Sequence, residues 1–207
     1  MAHLIEPPSD RCKTSWFLGE LERAHHEIVE AATAWMATTF PEQAWGASAK
    51  RSEIPLEGLH PWIGTQSQPF GELLNQLATI ERLLDALEWS VSQGLTEVVV
   101  CHPTTSSGDH DLVTCDENSR YCAFEVSDVA GASGNQNGKM KVDIQTFAHC
   151  ICAFCTAGAE RYLATSPSSS NWLVRLNQQP ERLHALGVAS VIPVATLPRG
   201  TKISHLK

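Results

Sequence analysis

The sequence predicts a mixed α/β fold, a central mixed β-sheet flanked by helices. Three observations carry this. Segments 10–39 and 71–93 repeat apolar residues every three or four positions, as amphipathic helices do. The block 97–129 is rich in β-branched and aromatic residues and is broken by turn signals. A third helical period, 139–157, is followed by further short apolar runs, so helices and strands alternate and must bury their faces on one another.

In chain order, Phe17, Leu21, Ala24, Ile28, Ala32 and Trp35 form the apolar stripe of the first helix, capped by Ser9 or Asp10 and ended by Pro41. Segment 42–69 holds Pro55, Pro61, Pro69, Trp45 and Trp62 and reads as a long structured loop, a kind of segment that often carries function. Leu73, Leu77, Ile80, Leu84, Leu87 and Val91 give the second helix its stripe, and Gly94 stops it. Three consecutive valines mark 97–101 as a buried strand. After a turn-rich loop at 103–108, the runs 111–115 and 121–129 form a hairpin joined by Asp116-Glu117-Asn118-Ser119. Segment 130–138 is a glycine- and asparagine-rich loop. Met140, Ile144, Phe147, Ile151 and Phe154 then make one continuous helix. A strand at 161–165, a serine-rich linker at 166–170, a helix at 171–186 and strands at 190–197 and 201–206 complete the chain. A single domain accounts for all 207 residues: a helical part (1–94), a core (95–165) and a C-terminal helix with strands (166–207).

The chemistry-bearing residues cluster between Asp111 and Lys141. Asp111 opens one hairpin strand, and the other ends Phe124-Glu125-Val126-Ser127-Asp128. Antiparallel pairing brings Asp111 near the end of its partner. Glu125 and Ser127 share a face, while Phe124 and Val126 point to the core. Two carboxylates converging at one sheet edge suit a hard cation such as Mg²⁺. The bland alternative is a surface hairpin with solvated carboxylates, but Glu125 follows Phe124 on an apolar strand, where an unpartnered charge is costly. Lys139 and Lys141 stand at the start of the following helix. They either reach the same edge or are simply solvated, with Asp143 pairing Lys139 at i,i+4. Asp109, His110 and Asp128 are expected as loop and turn residues.

An acid at a strand start, a hairpin, Glu-x-Lys on the next strand and then a helix resembles the PD-(D/E)XK nuclease superfamily, to which many type II restriction endonucleases belong. The match is Asp111 and Glu125-Val126-Ser127, within about 97–165. Two departures stand out: His110 precedes the aspartate in place of proline, and Ser127 occupies the lysine slot. The resemblance implies a restriction-endonuclease-like αββαβ core and Mg²⁺-dependent hydrolysis of DNA. It makes Asp111 and Glu125 the metal ligands and Ser127 the occupant of the lysine slot. Lys139 or Lys141 is then a lysine displaced onto the helix. A homodimer would cut both strands of a symmetric site. Helix glutamates join such sites in some members; Glu20, Glu22, Glu27 and Glu30 on the first helix and Glu81 on the second are the candidates. The alternative is a catalytically inactive nuclease-like binding protein in a defence or regulatory complex.

The formal net charge of −8 argues against non-specific nucleic-acid binding by the molecule as a whole. Arg161, Arg175, Arg182, Arg199, Lys202 and Lys207 make the last segment locally basic, where a phosphate backbone can dock. Arg120 adds to this tendency. The run His149-Cys150-Ile151-Cys152-Ala153-Phe154-Cys155 contains one Cys-x-x-Cys pair. A structural zinc site needs further ligands, which Cys101-His102 or Cys115 and Cys122 supply only if the fold happens to bring them near. Buried helix cysteines are therefore the expectation. His25-His26-Glu27 lacks the histidine spacing of a zinc-protease helix. No apolar run reaches the roughly 18 residues that suggest a membrane span, and residues 1–10 do not read as a secretory signal. With seven cysteines expected to be reduced, the sequence reads as cytoplasmic.

Overall fold

The computed structural model describes residues 4–7, 11–39, 47–64, 67–101, 110–127, 135–165, 167–194, 197 and 200–205. Strand β1 (Cys12–Lys13) leads into helix α1 (Thr14–Thr39); α2 (Ala47–Arg51), β2 (Glu53–Pro55) and β3 (Ser67–Pro69) follow, and then α3 (Phe70–Ser92). The middle of the chain forms β4 (Glu97–Cys101), β5 (Leu112–Cys115), β6 (Tyr121–Ser127), α4 (Asn135–His149), α5 (Ala153–Thr156) and β7 (Glu160–Thr165). It closes with α6 (Pro167–Asn177), α7 (Pro180–Ala185), β8 (Val188–Val194) and β9 (Gly200–His205).

One seven-stranded mixed sheet runs β1-β4-β5-β6-β7-β9-β8. Its pairs are antiparallel except β6 and β7, which are parallel and linked through α4. Parallel neighbours need such a crossover. The expectation of a mixed sheet flanked by helices holds. No described helix is long and apolar enough to cross a membrane.

The two faces of the sheet bury separate cores. Leu112, Cys122, Phe124 and Tyr162 pack with the stripes of α1 and α3, including Phe17, Leu21, Ile28, Leu73, Ile80 and Leu87. Trp89 meets Phe124 edge-on and Tyr162 at a 4.8 Å centroid separation. On the other face Val113, Ala123, Leu163, Val191 and Ile203 pack with Met140, Ile144 and Phe147 of α4 and with Leu173, Leu176, Leu183 and Leu186 of α6 and α7. Successive strand residues thus alternate between two covered faces, which is why β5 is buried at all four positions.

Several boundaries depart from the sequence reading. Cys12 and Lys13 pair with Val98 and Glu97 as an edge strand, so the first helix starts at Thr14. Within the expected structured loop 42–69, Glu53–Pro55 and Ser67–Pro69 pair as a two-stranded antiparallel sheet with Ile54 buried. Residues 167–170 of the expected serine-rich linker are helical: Pro167 suits a first turn, because its missing N–H has no partner to lose there. Pro180, at the N-terminus of α7, divides the expected 171–186 helix in two.

The largest correction concerns the third helix. It begins at Asn135, inside the expected loop, and ends at His149, so Cys150 and Cys152 lie outside any helix and Ile151 is 89% exposed. Arg161, only 5% exposed on β7, explains the ending: its guanidinium donates to the carbonyls of Ala148 at 2.5 Å and Cys150 at 3.1 Å. A cationic donor satisfies carbonyls that the helix end leaves open. Ser9, Asp10, Pro41, Trp45, the 103–108 loop, Asp109, Asp128, Arg199 and Lys207 lie outside the described residues.

Candidate functional site

The β5–β6 hairpin sets the geometry. Its turn is held by Asp116, whose Oδ1 accepts the N–H groups of Asn118 and Arg120, each at 2.9 Å. Val113 pairs with Ala123 and Leu112 with Phe124. Extending this register by one residue sets Asp111 opposite Glu125, on the face that carries Ala123 rather than Phe124. Asp111 Oδ2 accepts the Val126 N–H at 2.6 Å, tying the carboxylate to the partner strand. Ser127, fully buried, lies on the same face and donates its hydroxyl to Asp143 Oδ2 at 2.7 Å. The hairpin end thus gathers Asp111, Glu125 and Ser127, and α4 brings Asp143 to Ser127.

The two lysines differ. Lys139 is within α4, but its side chain lies outside the described residues. Lys141 is exposed and lines a groove of about 550 Å³ with Gln145, Trp172, Arg175, Gln179 and Arg182. Residues two apart on a helix point about 200° apart, so Lys141 and Asp143 occupy different flanks of α4. The helix glutamates belong to the opposite layer of the sheet. Glu81 pairs with Arg82 and stands 4.0 Å from His25; Glu20 pairs with Arg23 and faces His60; Glu30 pairs with His26.

The late basic residues also divide. Arg161 is buried against carbonyls. Lys202 donates to Glu160 at 2.6 Å, and with Tyr162 it holds that carboxyl below the usual carboxylate range. Arg175 and Arg182 join Lys141 in the groove. Arg120 donates to the Gln93 carbonyl and pairs with Asp116.

A second constellation lies beside the first. His110, the residue before Asp111, is 3% exposed; its Nε2 is 3.0 Å from Cys155 Sγ and 3.4 Å from Cys152 Sγ. Together with Cys150 Sγ, these ligand-type atoms all lie within 4.8 Å of one another. The neighbouring backbone turns towards the sulfurs: the Cys152 N–H reaches Cys150 Sγ at 3.5 Å. Burial raises the Cys150 thiol and pushes Cys155 up to about 12. Burial also raises Cys152, but hydrogen bonds from the Cys155 and Phe154 amides and from neighbouring thiols outweigh it, leaving Cys152 below the ordinary thiol value.

This cluster was only partly legible. The cysteine run is visible in the sequence, but the expected continuous helix disperses it, and the further ligands it offers are Cys101-His102, Cys115 and Cys122. His149 packs against Gly187, where an added Cβ would collide with its ring. Cys115 accepts a hydrogen bond from Arg11, and Cys122 is buried in the opposite core. Neither contributes to the cluster. The Cys101 side chain and His102 lie outside the described residues. No protein-family model, curated protein or solved structure matches this chain.

Proposed function

We propose that this protein is a Mg²⁺-dependent DNA endonuclease of the restriction type, with Asp111 and Glu125 as the metal-holding pair. The observation that carries the reading is the register that sets Asp111 opposite Glu125, with Asp111 Oδ2 fastened to the Val126 N–H at 2.6 Å. The order α3-β4-β5-β6-α4-β7 contains the hairpin, helix and strand of the αββαβ core that the resemblance implies, with β4 as an additional strand between α3 and the hairpin. The donor set fits: carboxylate oxygens at the end of a hairpin are hard ligands of the kind Mg²⁺ takes.

When bound, Mg²⁺ supplies positive charge against a phosphate and makes a coordinated water more acidic. The protein's own part is positional. The Val126 amide fixes the Asp111 carboxylate, and strand alternation holds Glu125 on the same face. Ser127 stands in the lysine slot with its hydroxyl directed to Asp143. Lys139 or Lys141 is the displaced lysine of this reading, and Lys141 lines the groove. Lys141, Arg175 and Arg182 are the phosphate-docking residues, and two protomers act on the two strands.

Cleavage of plasmid and phage DNA by the purified chain, with and without Mg²⁺, tests this directly. Mg²⁺-dependent fragments that disappear in a folded Glu125→Ala variant are expected. DNA left intact across Mg²⁺, Mn²⁺ and Ca²⁺ would remove the enzyme reading. A second reading, a nuclease-like binding protein without catalysis, is favoured by one observation: the lysine slot holds a serine whose hydroxyl is engaged by a carboxylate. DNA or protein retention without cleavage is its signature.

A further inference from the structure

We propose that His110, Cys150, Cys152 and Cys155 form a structural Zn²⁺ site that pins the segment entering β5 to the junction between α4 and β7.

Tetrahedral Zn²⁺ bonds sulfur at about 2.3 Å and imidazole nitrogen at about 2.0 Å, so its ligand atoms stand roughly 3.5–3.8 Å from one another. The four atoms here already lie within 4.8 Å, with the imidazole 3.0 and 3.4 Å from two of the sulfurs. Changes in separation of about an ångström or less close the coordination sphere. Three thiolates and one imidazole are a closed structural donor set, soft enough to prefer zinc over Mg²⁺. An iron–sulfur cluster spreads its cysteines around several irons, whereas these donors meet at one point.

Arg161 is 5% exposed, its Nε has no hydrogen-bond partner, and no carboxylate lies within ion-pair distance among the described residues. A buried guanidinium without a counter-charge is costly. Zn²⁺ with three thiolates and one neutral imidazole carries a net charge of −1, and Arg161 acts electrostatically on Cys155. The metal centre is the counterion that the buried arginine otherwise lacks.

The cysteines sit where α4 stops at His149 and before β7 begins at Glu160, while His110 arrives from the segment before β5. The site joins the segment before β5 to the α4–β7 junction, where His110 also packs edge-on against Phe147 at a 5.0 Å centroid separation, and it holds the residue adjacent to Asp111. The assignment stands whether or not the protein cleaves DNA.

The test is metal content and cobalt spectroscopy on the full chain purified without added chelator. One zinc per chain is expected. Replacement by Co²⁺ should give intense visible bands of tetrahedral geometry together with sulfur-to-cobalt charge transfer. His110→Ala and Cys155→Ser should lose most of the bound zinc, and Cys122→Ala, in the opposite core, should retain it. Should the ligand variants fail to fold, the wild-type cobalt spectrum and the protection of three thiols from a thiol reagent, released by a zinc chelator, carry the test alone. A metal-free chain with these thiols freely titrating, a disulfide among them, or iron with acid-labile sulfide would each overturn the proposal.

Discussion

At the scale of single residues, the buried histidines carry the clearest consequence. His60 is 5% exposed; its Nδ1 accepts the Trp62 N–H at 3.2 Å, so the neutral ring keeps its proton on Nε2, which faces Glu20 at 3.7 Å. Burial holds this imidazole below its ordinary value; Glu27 pulls it up and Arg23 pushes it down. His25 is lowered as well, chiefly by burial, with Glu81 opposing and His26 assisting. A lowered native value means that the unfolded chain binds more protons, so the contribution to stability is full above about 6.5 and shrinks as the pH falls below it. A histidine that stays neutral in the native state costs at most about 1.4 kcal/mol between pH 7.5 and 5.5. Urea unfolding at those two values should therefore show a loss of stability on acidification that His60→Gln reduces, since glutamine can still accept the Trp62 N–H. An identical loss in the variant would show that His60 titrates normally. Glu160 belongs to a lower window: its depressed carboxyl contributes above the carboxylate range and is lost only as the pH falls through its native value.

At the scale of elements, legibility followed locality. The second helix read correctly to within a residue because its apolar period is strict and Gly94, at φ 74°, can adopt the left-handed stop. Strand β4 and the hairpin read correctly because valines and the Asp116 turn are local signals. Antiparallel pairing of the two runs is what sets Asp111 near the end of its partner strand, and the register from Leu112–Phe124 to Cys115–Tyr121 has that sense. The third helix misled because Ile151 and Phe154 continue the period of its stripe, while the group that ends it, Arg161, comes from a later strand. The cluster around His110 needed that ending and a ligand 40 positions upstream, and neither is encoded nearby. A contact between elements offers a sharper test of how helix and sheet are locked together. Ser90 on α3 donates to the Ala86 carbonyl at 2.7 Å, and its oxygen lies 3.2 Å from Thr114 Oγ1 on β5, both residues being fully buried. With the serine proton so used, Thr114 is the donor between them. Ser90→Ala should cost about 1–3 kcal/mol by leaving a buried hydroxyl unsatisfied. The double variant Ser90→Ala/Thr114→Val should cost less than the sum of the two single changes. Strict additivity in chemical denaturation would mean that the hydroxyls do not interact.

At the scale of the whole molecule, the charge of −8 and a nucleic-acid partner are reconciled only if positive charge is concentrated where it is needed. The structure sorts the basic side chains this way: Arg161 is internal, Lys202 and Arg120 are paired with acids, and Lys141, Arg175 and Arg182 line one groove alongside Trp172, Gln145 and Gln179. A groove with cations, amides and an indole can contact phosphates and stack on a base. If DNA docks there, each phosphate contact contributes about 0.9 to the slope of log affinity against log salt on duplex DNA. Arg175→Ala and Arg182→Ala should each weaken binding in fluorescence anisotropy and flatten that slope by about one, across unrelated sequences. Glu125→Ala should leave the slope unchanged, because it lies at the hairpin end and not in the groove. Arginine variants that bind DNA with the wild-type slope would move the docking surface elsewhere, while a normal slope change with no cleavage under any metal would leave a DNA-binding protein in which the carboxylate pair is structural.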